Sequence, residues 1–257
     1  MNVDPFADLY PEWSAYNYAL DNPANIVDAR GDSINVRNIQ AYDERNYTSV
    51  LATVITQLNR ITGLTFSVNA NGNLVYETDK NGKPVVAQDA KGKDVGSKTA
   101  RNVMMQGVSD VRSVKAYVDC CNASKPYSFA SPDPKANEFN INIYQIQQFE
   151  SGVNGGLDPL TMGYGMSFIH EFSHTQVGGS LQDITTSFDP VGSAETRVDR
   201  IRRELGPSFG QRQQYGAVDL KKGWLYLPFD GNAMAALSFG VAPSQGSKFI
   251  KCRSCAH

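Results

Sequence analysis

The chain has 257 residues, 41% of them hydrophobic, which is enough to bury a core without disulfide staples. A net charge of -2 and a pI near 5.9 argue against a nucleic-acid partner, which would draw on clustered Lys and Arg. No apolar run approaches the length that spans a bilayer, and "MNVDPFADLYPEW" lacks the basic start and apolar core of a signal peptide, so export is expected to need a carrier.

Residues 4–32 are rich in Tyr, Asn, Pro and Asp and have no helical period; physically they read as a string of turns pinned by aromatic rings. Asp4, Pro5, Ala7, Tyr10, Pro11, Trp13, Ser14, Tyr16, Asn17 and Tyr18 follow a specific spacing. The stretch resembles the segment that closes the core of Rhs (YD-repeat) proteins just before a variable C-terminal toxin. Pro23, Asp28 and Gly31 fit that boundary, while Ala29 and Asp32 depart from the family's usual proline and leucine. The resemblance covers about an eighth of the chain. It implies an Rhs core-like end at 1–32, a linker at 33–45 and a toxin domain at 46–257.

Beyond residue 45 ordinary globular patterns begin. In "YTSVLATVITQLNRITG", Leu51, Val54, Ile55, Leu58 and Ile61 recur at helical spacing, and Gly63 supplies a stop. Asn71-Gly72 and Asn81-Gly82 then separate runs that favour strand, which predicts a small antiparallel sheet. Residues 97–130 are ambiguous between helix and loop. "EFNINIYQIQQF" at 138–149 alternates Phe139, Ile141 and Ile143 with polar residues, as a half-buried strand should. No internal repeat is evident. Cys120 and Cys121 are adjacent, and Cys252-x-x-Cys255 with His257 is a lone CxxC tail, which lacks the second ligand pair of a zinc site. The basic run at 197–206 is interleaved with acids and reads as a solvated helix face.

The chemistry concentrates in "MSFIHEFSHTQVGG", residues 166–179, which holds two of the three histidines. His170 and His174, four apart on a helix, project from one face and can reach one cation. Glu171 sits just off that face, placed to take a proton from water activated at the ion. Met166, Phe168, Ile169 and Phe172 supply the apolar packing, and Gly178-Gly179 is the expected helix end. Catalytic zinc needs a third protein ligand. Val177 and Ser180 break the metzincin pattern. In "GSAETRVDRIRRELG", Glu195 and Asp199 share a helix face beside the apolar Val198, Ile201 and Leu205; their ordinary alternative is a salt-bridged face with Arg202 or Arg203.

HExxH followed by ExxxD resembles the gluzincin arrangement. By that resemblance Glu195 is the third zinc ligand and Asp199 the acceptor for the ring N–H of His170, with Asp183 and Asp189 in the intervening loop as rival ligands ranked below Glu195. The run Arg200 to Gly206 and the pair Tyr215-Gly216 are also similar to injected zinc-metalloprotease effectors of type III secretion, over about residues 138–216. The expected fold is therefore α+β, a zincin-like metallopeptidase domain with a small, mainly antiparallel sheet and an HExxH helix. The expected function is Zn2+-dependent endopeptidase action by a secreted toxin or effector, with Glu171 as base and Tyr215 as oxyanion donor. Its partners would be a protein or peptide substrate in a target cell, an immunity protein, and an Rhs shell or secretion apparatus. Substrate is expected to add as a strand along Asn140 to Tyr144. The alternative is a non-catalytic binding or adhesion module at the end of a YD-repeat surface protein, with a structural or vestigial metal.

Overall fold

A computed structural model describes residues 34–119, 130–133, 137–183 and 190–238. The Rhs-like segment, Asp189, all four cysteines and His257 lie outside those residues. The described chain is mixed α+β. Its elements run β1 (Ile34–Asn35), α1 (Arg37–Asn46), α2 (Val50–Thr62), β2 (Phe66–Val68), β3 (Leu74–Tyr76), α3 (Lys98–Ser109), β4 (Val114–Asp119), β5 (Ala130–Asp133) and β6 (Glu138–Asn142). Then follow α4 (Ile143–Glu150), α5 (Tyr164–His174), α6 (Gly192–Leu205), β7 (Ala217–Asp219), β8 (Trp224–Pro228) and β9 (Met234–Ser238).

The main sheet has the order β1-β4-β6-β5, parallel except for β5, which is antiparallel to β6. A mainly antiparallel main sheet is therefore corrected; only the β2-β3 hairpin and the β7-β8-β9 meander are wholly antiparallel. Because β6 is paired on both sides from Glu138 to Ile141, Asn140 and Ile141 present no free edge to which a substrate strand could add.

The expected helix at 50–62 forms with Leu51, Val54, Leu58 and Ile61 buried, and Gly63 closes it in the left-handed region at φ 75°. The expected strand at 138–149 ends early. Asn142 turns its side-chain oxygen onto the N–H groups of Tyr144 and Gln145, and that cap starts α4, whose Ile143, Ile146 and Phe149 are buried at spacing three. Nor are residues 34–45, the described part of the expected linker at 33–45, a linker. They carry β1 and most of α1, and Ile34, Val36, Ile39 and Tyr42 lie in the main core.

One repeat does exist. At Asn69, Asp79 and Asp89, ten residues apart, each side-chain Oδ1 accepts from the backbone N–H two and four positions on, at 2.8–3.0 Å. Each turn also carries a glycine with positive φ (Gly72, Gly82, Gly92) whose N–H bonds back to the Asx carbonyl at 2.9 Å. The first turn is buried against Arg37 and β1; the next two project into solvent.

The helix α5 lies across the sheet beside β5 and β6 and packs on α2 and α6. Phe168 meets Phe139 of β6 edge to face at 4.9 Å. Gly165 allows the approach to α2, since a Cβ there would fall 2.9 Å from Cβ of Gln57. Gln57 uses that proximity: its Oε1 accepts from the Gly165 N–H at 2.9 Å and so caps a helix whose own N-cap, Gly163, has no side chain. A smaller apolar cluster, built on Phe149, Leu225, Leu227 and Phe229, carries the meander. No helix among the described residues is long and apolar enough to cross a membrane.

Candidate metal centre

α5 ends at His174, before the two glycines expected to stop it, and the chain then folds back on itself. Thr175 bonds the Phe172 carbonyl through its hydroxyl at 2.7 Å, Ser180 N–H reaches the Thr175 carbonyl at 2.8 Å, and Leu181 N–H reaches the Ser173 carbonyl at 3.0 Å. Gly178 passes so close that a Cβ would overlap the Phe172 carbonyl. Arg197 of α6 fastens this turn, donating to the Gly178 carbonyl at 2.6 Å and to Ser173 Oγ at 3.1 Å. Gln182 is held by Ser193 at the start of α6, its N–H 2.9 Å from Oγ. The tight return delivers Asp183 to the histidines nine residues after His174.

His170, His174 and Asp183 form the group able to hold a metal ion among the described residues. Nε2 of His170 is 3.3 Å from Nε2 of His174 and 3.3 Å from Asp183 Oδ2, and the last pair, His174 Nε2 to Asp183 Oδ2, is 3.1 Å. Tetrahedral zinc with bonds of about 2.0–2.1 Å requires ligand atoms about 3.3 Å apart. The spacing of the triangle matches that requirement. Two imidazoles in the set disfavour Ca2+ and Mg2+, which prefer oxygen. The second oxygen of Asp183 is buried with no hydrogen-bond partner, as expected of a carboxylate whose charge is meant for a cation.

Both rings are oriented from behind. His174 Nδ1 lies 2.7 Å from the Leu181 carbonyl, and His170 Nδ1 lies 3.1 Å from Glu195 Oε2. An acceptor on Nδ1 places the proton there and leaves the Nε2 lone pair free for the metal.

This geometry changes the roles expected of α6. Glu195 is not in the triangle; it occupies the opposite edge of the His170 ring and does the work expected of Asp199. The physical reason is the direction of the two ring nitrogens: His170 turns Nε2 to His174, so the carboxylate of α6 meets Nδ1. Asp199 lies one layer further out, accepting from Arg202 Nη1 at 2.8 Å and from the Arg212 N–H at 2.9 Å. Arg202, fully buried, also bonds Glu195 and donates through Nε to the Thr161 carbonyl at 3.0 Å. The salt-bridged face expected of an ordinary helix thus does form, but inside the protein, where it anchors Glu195 against His170.

No protein-family model, curated protein or solved structure matches the chain. Function has to be read from the site.

Its electrostatics favour bound positive charge. Burial opposes protonation of His170, yet Asp183, Glu195 and Glu171 together push its pKa up to about 10. Burial raises Glu195, but Arg202 and Arg212 outweigh it and hold the carboxyl well below the usual range. Glu171 is buried, its Oε1 3.8 Å from His170 Nε2, and burial pushes its pKa up to about 7 against the pull of both histidines. A cation in the triangle acts in the same direction as the histidines and lowers it. Tyr215 lies on the Asp183 side of the site with its ring partly exposed, and desolvation of the hydroxyl followed by the Asp183 charge raises its pKa above the ordinary tyrosine value. Its phenol therefore remains a donor at neutral pH.

The sequence reading named Asp183 only as a rival and missed Arg197 and Arg212. Two signals were present: the Gly178-Gly179 pair, which allows a return to the helix within a few residues, and the spacing Arg212-x-x-Tyr215, which sets a cation near an aromatic ring.

Proposed function

We propose that the chain is a zinc-dependent endopeptidase with a zincin-like fold. The observation that carries this reading is the triangle of His170, His174 and Asp183 ligand atoms, 3.1–3.3 Å apart, with buried Glu171 beside it. When bound there, zinc supplies Lewis acidity toward water and toward a scissile carbonyl. Glu171 accepts a proton from the attacking water as the new C–O bond forms. It then returns that proton to the amine nitrogen as the C–N bond breaks, and ends the cycle as a carboxylate. The Tyr215 phenol, which interacts with Asp183, is the donor assigned to the developing oxyanion in this reading. A base next to the ligands has no use in a purely structural site, which weighs against a binding module.

The biological setting follows from the N-terminal resemblance. An Rhs-like closing segment joined to a peptidase implies a toxin or effector tail, carried in a shell or by a secretion apparatus into a target cell and restrained in its producer by an immunity protein. The test is cleavage of a diverse peptide library by the zinc-loaded chain, with new termini identified by mass spectrometry. Cleavage that stops on chelation and returns with zinc is expected. A zinc-bound protein that cuts no peptide would sink the endopeptidase reading.

A further inference from the structure

We propose that Arg212 is the positioning residue that joins the two sides of this site. Its Nη1 lies 3.3 Å from Glu195 Oε2, the same oxygen that faces His170 Nδ1. Its guanidinium carbon lies 4.7 Å from the centre of the Tyr215 ring. One buried planar group therefore steadies the carboxylate behind a ligand histidine and stacks on the tyrosine in front. Its backbone is held in turn, the N–H by Asp199 and the strand position by a bridge to Phe229.

Two features go beyond simple charge balance. Arg202 bonds both Glu195 and Asp199 but brings one positive charge against two carboxylates; Arg212 brings the second to Glu195 and at the same time reaches the Tyr215 ring, which charge balance alone does not call for. The Nε of Arg212 is buried without a hydrogen-bond partner, a cost that a residue selected for stability alone would avoid. Tyr215 is 39% exposed; Arg212 covers one face of its ring, its hydroxyl interacts with Asp183 and its N–H bonds the Pro190 carbonyl at 3.3 Å.

The kinetic half of this proposal rests on the peptidase reading; the metal half rests only on zinc binding. Arg212→Met and Arg212→Lys separate the two contacts, because lysine keeps a cationic donor for Glu195 but cannot stack a planar group on Tyr215. Arg202 still pairs Glu195 in both variants, so both are expected to fold. Zinc affinity is measured by competition with a chromogenic chelator, and kcat and KM on a peptide cut by wild type. The methionine variant should bind zinc about 10–100-fold more weakly. The lysine variant should recover most of that affinity while its kcat stays about 10–100-fold down and its KM is little changed. Wild-type zinc affinity in Arg212→Met, or full recovery of kcat in Arg212→Lys, would overturn the assignment. If wild type binds zinc but cuts no peptide, the peptidase reading fails by itself and the zinc constants still decide the role of Arg212.

Discussion

Glu171→Gln is expected to abolish peptide hydrolysis and leave zinc in place. The amide is nearly isosteric with the carboxylate, and Glu171 is outside the ligand triangle, so the metal loses no bond. What disappears is the group that accepts the water proton and returns it to the leaving amine. Loss of a positioned base costs about 10²–10⁴-fold in rate, and the upper end applies here because both proton transfers use one carboxylate. Burial of Glu171 excludes bulk water as a ready substitute. The check is kcat/KM beside zinc per chain on the same preparation. A variant that keeps wild-type rate with zinc bound would remove Glu171 from the mechanism.

Arg202→Met is expected to cost about 3–5 kcal/mol of folding stability, the penalty for breaking a buried ion pair from one side. Arg202 is fully buried, bonds both Glu195 and Asp199, and lies 5.6 Å from the centre of the Phe229 ring. Methionine fills much of the volume but leaves two buried carboxylates facing each other with only Arg212 nearby. Both Arg202 and Glu195 sit on the helix that orients His170, so zinc affinity should fall with stability. Chemical denaturation with and without zinc measures this; a loss below about 1 kcal/mol would mean that the pair behaves like a surface salt bridge.

Much of the scaffold was legible because its signals are local. Leu51, Val54, Leu58 and Ile61 share one face of α2, and Gly63 ends it; the same logic places His170 and His174 together on α5 and Glu195 and Asp199 together on α6. The strand at 138–149 failed at Ile143, which fits both the alternation of β6 and the three-residue spacing of α4; the Asn142 side chain decides between them. The repeat escaped notice because its first member is Asn69 and its later ones are Asp79 and Asp89, which share a hydrogen-bonding role but not an identity. Residues 33–45 looked like a linker because α1 is mostly polar, with only Ile39 and Tyr42 of the helix buried. Asp183 ranked below Glu195 for a different reason. Spacing along the chain says that a carboxylate can reach a histidine, but not which of the two ring nitrogens it will meet.

Zinc per chain in wild type, Asp183→Ala and Glu195→Ala, after identical mild chelator washing, tests the metal centre most directly. The geometry predicts about one zinc in wild type. It predicts loss in Asp183→Ala, and in Glu195→Ala a retained site about 10–100-fold weaker, because only the support behind His170 is gone. Zinc kept by Asp183→Ala but lost outright from Glu195→Ala, or a folded wild type that takes up none, would contradict it.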